Sequence, residues 1–165
     1  MSEITRVGVD LAKQVIQVHA VDASGAVMSN RAVARKSFLD WCAKLPPGCL
    51  VAMEACSGAH QWARQLAKLG MNLQVRLIAP HLVTPYRMQG KRGKNDANDA
   101  AAICEAASRP QMHFVPVKSA HQQAVRAERV DRERAPRKGA AGDAGHAERQ
   151  QVARAAADGA PRAHE

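Results

Sequence analysis

Large apolar side chains set the limits of what this chain can fold into. Residues 1–120 hold 36 Val, Ile, Leu, Met, Phe, Trp or Tyr, whereas residues 121–165 hold three, Val125, Val130 and Val152. A stretch without such side chains cannot bury enough surface to offset the entropy of ordering it. The last 45 residues instead carry 13 alanines, eight arginines, four glycines and two prolines. They are expected to be disordered or partly helical, with residues 150–158 the segment where Ala, Gln and Arg favour transient helix. The expected organisation is one folding domain over 1–120 and a low-complexity Ala/Arg-rich tail over 121–165. Charge follows the same division: net +7 before residue 121 and +2 after it, within a total of +9. A basic folded part favours polyanionic partners. No run approaches 18 apolar residues, so no membrane-spanning helix is expected. Met1-Ser2-Glu3-Ile4 lacks the basic-then-apolar pattern of a signal peptide. Cys42, Cys49, Cys56 and Cys104 form no Cys-x-x-Cys pair and read as reduced thiols of a cytoplasmic protein.

Within the first 120 residues the pattern alternates between strand and helix. Residues 4–10 alternate around Val7 and Val9 and predict a strand ending at Asp10. Residues 15–21 predict a second strand, and the short link between the two predicts an antiparallel hairpin. Ala23-Ser24-Gly25 is a turn, followed by a third strand over 26–33. Phe38, Trp41, Cys42 and Leu45 fall on one helix face, stopped by Pro46-Pro47-Gly48. Leu50–Met53 reads as a buried strand running into Glu54. Trp62, Leu66 and Leu69 form the next helical stripe, ended by Gly70. Leu73, Val75 and Leu77 alternate as a further strand, stopped at Pro80. A basic linker follows, and Asn95 can cap a helix running to about Ser108. Three early strands and then strands separated by helices predict a three-layer α/β domain with a mixed sheet flanked by helices. An RNase H-like (RuvC-like) fold requires that order, and other α/β folds are compatible with it.

Four of the eight acids in residues 1–120 stand where they can converge. Asp10 ends the first strand and Glu54 the strand after the first helix. Asp96 and Asp99 lie three apart at the start of the last helix, and so share one face. Convergent carboxylates repel and need compensating cations; hard oxygen ligands suit Mg²⁺ or Mn²⁺. Two such ions can activate an attacking oxygen and stabilise a leaving one in phosphodiester cleavage. Arg87, Lys91, Arg92 and Lys94 precede this helix and can contact phosphates. Each feature also has a plain structural reading. Asp10 can end a strand at a turn, Glu54 can be a surface acid, and Asp96 and Asp99 can complement a helix dipole. The basic linker can be a solvated loop. His60 reads as a locally satisfied histidine at a helix start, Ser57 as an N-cap, and Trp41 and Trp62 as core.

Longer segments then add a family likeness. Val7-Gly8-Val9-Asp10-Leu11-Ala12-Lys13, Met53-Glu54-Ala55-Cys56-Ser57-Gly58-Ala59-His60, Arg76-Leu77-Ile78-Ala79-Pro80 and Lys94-Asn95-Asp96-Ala97-Asn98-Asp99-Ala100 resemble the DEDD transposases of bacterial insertion sequences, the Piv-type or IS-one-ten group. Phe114-Val115-Pro116-Val117-Lys118-Ser119 resembles the run that follows this domain in the family. The resemblance covers roughly residues 4–125. It implies a RuvC-like fold and an acidic tetrad, Asp10, Glu54, Asp96 and Asp99, that binds divalent metal. It also implies DNA as substrate, a nucleoid-associated place in a bacterial cytoplasm and homo-oligomers of the intact protein. Some members use a structured guide RNA.

The family continues into a helical linker and a second domain that carries a serine implicated in strand exchange. The likeness here fades near Ala124-Val125, which leads us to expect a frameshift near residue 125. The chain is then the N-terminal catalytic part of a transposase, inactive in transposition by itself. The alternative is a non-catalytic DNA- or RNA-binding fragment that interferes with a full-length transposase. A resolvase-like junction nuclease shares the fold, but the text around Lys94–Ala100 argues against it.

Overall fold

Alternating β-branched residues build the first strands, and short polar turns join them. The computed structural model describes residues 3–12, 14–87 and 96–134, apart from the side chains of Asp96 and Arg132. Among these, β1 (Arg6–Leu11), β2 (Val15–Val21) and β3 (Val27–Ala34) form an antiparallel meander. Its second turn is closed by Asp22, whose Oδ1 accepts the backbone N–H groups of Ser24 and Ala26, both at 2.9 Å. Gly25 takes the left-handed φ of 87° that this turn demands. The chain then crosses over through helices, so β4 (Leu50–Glu54) and β5 (Gln74–Ile78) lie parallel to β1. A two-residue strand, β6 (Phe114–Val115), pairs antiparallel with β5. The sheet order is β3-β2-β1-β4-β5-β6. This is a mixed α/β sheet, consistent with a RuvC-like fold.

The two-residue period of the strands sorts side chains between two helical layers. On one face Val7, Val9, Val18, Val51, Met53 and Leu77 pack with α1 (Phe38–Cys42) and α2 (Ser57–Ala67). Phe38 meets the Trp62 ring edge-on, with centroids 5.2 Å apart. Both tryptophans are partly buried against this cluster, so the core reading of Trp41 and Trp62 holds. On the other face Ala52 and Ile78 pack with α3 (Pro80–Val83) and α4 (Asp96–Ala107). Helix α4 presents Ala100, Ile103, Cys104 and Ala107 at helical spacing, all buried.

The approach of α4 to the sheet is set by one glycine. A β-carbon added at Gly8 would lie 2.7 Å from Cys104 Cβ, and nearer still to the Ala100 carbonyl oxygen and the Cys104 amide nitrogen. The backbone of α4 therefore rests directly on β1, and only a residue without a side chain permits it.

Two elements were not expected from the sequence, and the described helix of the partly helical tail stands earlier than residues 150–158. Residues 80–86, expected as linker, form α3 and a 3-10 turn, Thr84–Tyr86; Pro80 at the first helical position favours that start. Strand β6 is too short for alternation to signal. Helix α5 (Ala120–Arg134) stands where the apolar inventory supports no packed element. Its start is a capping box: Ser119 Oγ accepts the Gln122 N–H at 3.2 Å, and Gln122 Oε1 accepts the Ser119 N–H at 2.9 Å. An i,i+4 pair, Arg129–Glu133 at 3.0 Å, adds to it. The chain divides after Val125, and of the remainder only residues 126–134, the end of α5, are described. Residues 150–158, read as transiently helical, lie outside the described residues. Among the described residues no helix is long and apolar enough to cross a membrane.

Candidate functional site

Two strands run out and one helix begins at the same end of the sheet, and this places Asp10, Glu54 and Asp99 on one side of it. Asp10 is the fifth residue of β1, and Glu54 is the last of β4. The parallel register pairs Val9 with Met53, so Asp10 and Glu54 are the next step on adjacent strands, which run about 4.8 Å apart. Gly8 and Ala52 face α4, and the period of two puts Asp10 and Glu54 on that side as well. Asp99 enters from above, in the first turn of α4, where the helix macrodipole favours a negative charge. The carboxyl ends of parallel strands are where open α/β sheets place their ligand sites. Asp96 opens the same helix, and its side chain lies outside the described residues.

A single guanidinium joins the sheet acid to the helix acid. Arg87 Nη2 lies 2.5 Å from Glu54 Oε2, and Arg87 Nε lies 3.0 Å from Asp99 Oδ1. The first contact is a charge-assisted hydrogen bond. The second is an ion pair by distance, but its N–H is not aligned on the oxygen, and the buried Nε has no hydrogen-bond acceptor. All three side chains keep a quarter to a third of their surface exposed, at 35% for Arg87, 27% for Glu54 and 25% for Asp99. Arg87 is delivered by the 3-10 turn, where its N–H bonds the Thr84 carbonyl at 3.2 Å. The Arg109 guanidinium covers the Tyr86 ring of that turn at 5.3 Å.

Arg87, expected among the phosphate-contacting residues, has its guanidinium engaged by carboxylates in this structure. Lys91, Arg92 and Lys94 lie outside the described residues, as does the Asn95 cap. Sequence reasoning missed this role of Arg87 because one arginine in a basic run carries no signal of a partner 33 residues away. It also passed over Gly8, whose signal was legible: a glycine inside a strand marks close backbone approach.

The donor set suits a hard cation. Its members are carboxylate oxygens, and a cationic side chain already bridges two of them. Among the described residues no three His, Cys, Asp or Glu side chains gather closely enough to hold a metal ion. The cysteines do not contribute, because all four are free and only Cys56 is exposed. Burial pushes the Cys42 thiol up to about 12 and the Cys49 thiol up to about 11, which keeps both neutral in the core. Two smaller readings are corrected. Cys56, not Ser57, occupies the N-cap of α2. His60 is buried in α2, and its Nδ1 accepts the backbone N–H of Lys118 at 3.1 Å, a distant rather than a local partner.

Known proteins match this sequence over the same stretch. A family model described as Transposase, of the DEDD type named for IS110, matches residues 7–138. The chain belongs to the DEDD transposase family. Asp10, Glu54, Asp96 and Asp99 all fall within the matched span. A Pseudomonas aeruginosa protein named "Probable family 20 transposase" is 58% identical over 122 residues, which covers 74% of this chain and 34% of the relative. The transposase for insertion sequence element IS1111A of Coxiella burnetii is 46% identical over 127 residues, 77% of this chain and 33% of its own length. The transposase for insertion sequence element IS1328 of Yersinia enterocolitica is 42% identical over 127 residues, 77% and 36% respectively. This DEDD transposase chain therefore spans about a third of the length of the curated relatives it matches.

Proposed function

We propose that this chain is the carboxylate-bearing domain of an insertion-sequence transposase, and that Asp10, Glu54, Asp96 and Asp99 bind Mg²⁺ or Mn²⁺ for cleavage and transfer of DNA strands. One observation carries the reading. Glu54 from the sheet and Asp99 from α4 share one cationic group, and Asp10 stands on the neighbouring strand facing the same helix. A bound pair of divalent ions supplies activation of an attacking oxygen and charge stabilisation of a leaving one. The chain's own part is to hold acids from three elements within reach of one phosphate. The sheet fixes Asp10 and Glu54, and the close seat of α4 on Gly8 fixes the height of Asp99. Lys91, Arg92 and Lys94 are proposed to position the DNA backbone through its phosphates. DNA as substrate places the site of action at the nucleoid. A structured guide RNA and homo-oligomer assembly are proposed for the whole family member and rest on the family resemblance.

The test is calorimetric titration of the full chain with Mn²⁺, beside Asp10→Ala and Asp99→Ala. Binding by the parent and its loss in both variants is expected, together with metal-dependent nicking of supercoiled DNA at a low rate. A parent chain that binds no Mn²⁺ overturns the reading. A second reading, nucleic-acid binding without cleavage, is favoured by the Arg87 guanidinium standing between two of the acids. DNA binding that persists in chelator and in both variants, with no nicking, would select it.

A further inference from the structure

We propose that Arg87 is a resident counter-cation of the acidic site: it holds Glu54 and Asp99 together without metal and must withdraw before a divalent ion takes those carboxylates. The inference rests on the proposed metal site and goes one step further, to what competes for it. Glu54 and Asp99 come from different layers of the fold, and among the described residues no backbone hydrogen bond ties β4 to the first turn of α4. The packing of α4 sets their separation, and the Arg87 fork joins the two side chains, at 2.5 Å to one acid and 3.0 Å to the other. Mg²⁺ binds carboxylate oxygens at about 2.0–2.1 Å, and a guanidinium held on the same oxygens already neutralises part of the charge that would attract it. Like charges also repel across a partly buried site. Guanidinium and metal therefore compete for Glu54 Oε2 and Asp99 Oδ1.

The geometry leaves Arg87 able to move. Only one of its two contacts is an aligned hydrogen bond, its side chain is about a third exposed, and it hangs from the end of a 3-10 turn rather than from the middle of an element. Withdrawn from the acids, the fork presents a cation beside the site where a phosphate would arrive, and a planar guanidinium pairs well with two phosphate oxygens. One side chain would thus exchange carboxylate for phosphate as metal and DNA enter.

The experiment compares the full parent chain with Arg87→Gln, using Mn²⁺ binding read by calorimetry and paramagnetic resonance. Mn²⁺ binding is expected to tighten about tenfold in Arg87→Gln, the scale of removing one charge-assisted contact. Its metal-free melting temperature is expected to fall while the rise on adding Mn²⁺ grows. Equal or weaker Mn²⁺ binding by a folded Arg87→Gln, with the parent binding normally, overturns the inference and leaves the metal site standing. No binding by either chain overturns both. Should Arg87→Gln fail to fold, the parent's Arg87 Nε–H resonance is followed through a Mg²⁺ titration. Movement toward the position of a solvated arginine supports the exchange, and an unmoved resonance overturns it.

Discussion

At the scale of single residues, the position of the acids depends as much on a missing side chain as on charge. Helix α4 carries Asp99, and α4 can sit where it does because Gly8 offers no β-carbon to the Ala100 carbonyl and the Cys104 backbone. The atoms that would be struck are mostly helix backbone, which cannot rotate aside. Gly8→Ala must therefore lift α4 or bend β1. Forcing one methyl into a closed contact costs about 1–3 kcal/mol, and here the strain falls on the joint that sets the distance from Asp10 and Glu54 to Asp99. Gly8→Ala is expected to lower the urea midpoint and also to weaken Mn²⁺ binding, although Gly8 touches no metal ligand. A stable Gly8→Ala chain with unchanged Mn²⁺ affinity would show that the seat of α4 does not set the site. Asp10, Glu54 and Asp99 are placed by elements that the sequence made legible, because a strand end or a helix start is marked in sequence. Arg87 was not legible in the same way. Its partners are fixed by a turn whose geometry comes from Pro85 and the 3-10 hydrogen bond to Thr84.

At the scale of elements, legibility tracked packing. Strand β2 spans the predicted residues, 15–21, because both its faces are covered: Ile16, Val18 and Ala20 are buried on one and Gln17 and Val21 on the other. Strand β3 shifts by one residue, to Val27–Ala34; it is the sheet edge and buries little besides Val33. Helix α1 stops at Cys42 although its stripe runs on to the buried Leu45, as the chain turns early toward Pro46. Helix α5 is the opposite case, an element with almost no packing to announce it. Val125 and Val130, two of the tail's three large apolar residues, lie on it, and both are exposed. It stands on intrinsic propensity, on its cap, written locally as Ser119-Ala120-His121-Gln122, and on one longer bond, from Gln123 Nε2 to the Ser57 carbonyl at 2.8 Å. A helix of this kind should answer to cap chemistry and to little else. Ser119→Ala removes the acceptor for the Gln122 N–H and is expected to cost about 1 kcal/mol of local helix stability. Hydrogen exchange at the Gln122 and Gln123 amides should quicken while the amides of β1 and β4 keep their protection. Loss of protection across the sheet would mean that α5 is coupled to the core.

At the scale of the whole molecule, the balance of charge makes stability depend on pH through one histidine in the sheet. His19 lies on β2 opposite Gly8, beside Arg6 and beneath α4. Its pKa is lowered, first by burial and then by the Arg6 guanidinium. Its Nδ1 is buried without a hydrogen-bond partner, so the folded chain offers a proton there no stabilising acceptor. In the unfolded chain the same imidazole takes a proton near its ordinary value of about 6.5. Above that pH both states hold it neutral and it does not affect folding. As the pH falls below 6.5 the unfolded state binds the proton first, and folding stability declines until the lower, folded value is passed. One such group contributes a slope of at most about 1.4 kcal/mol per pH unit. The urea midpoint of the full chain is therefore expected to fall between pH 7.5 and pH 5.5. His19→Gln, which removes the titrating group and keeps a polar side chain of similar reach, should flatten that fall. A decline of the same size in His19→Gln would place the acid sensitivity elsewhere in the fold.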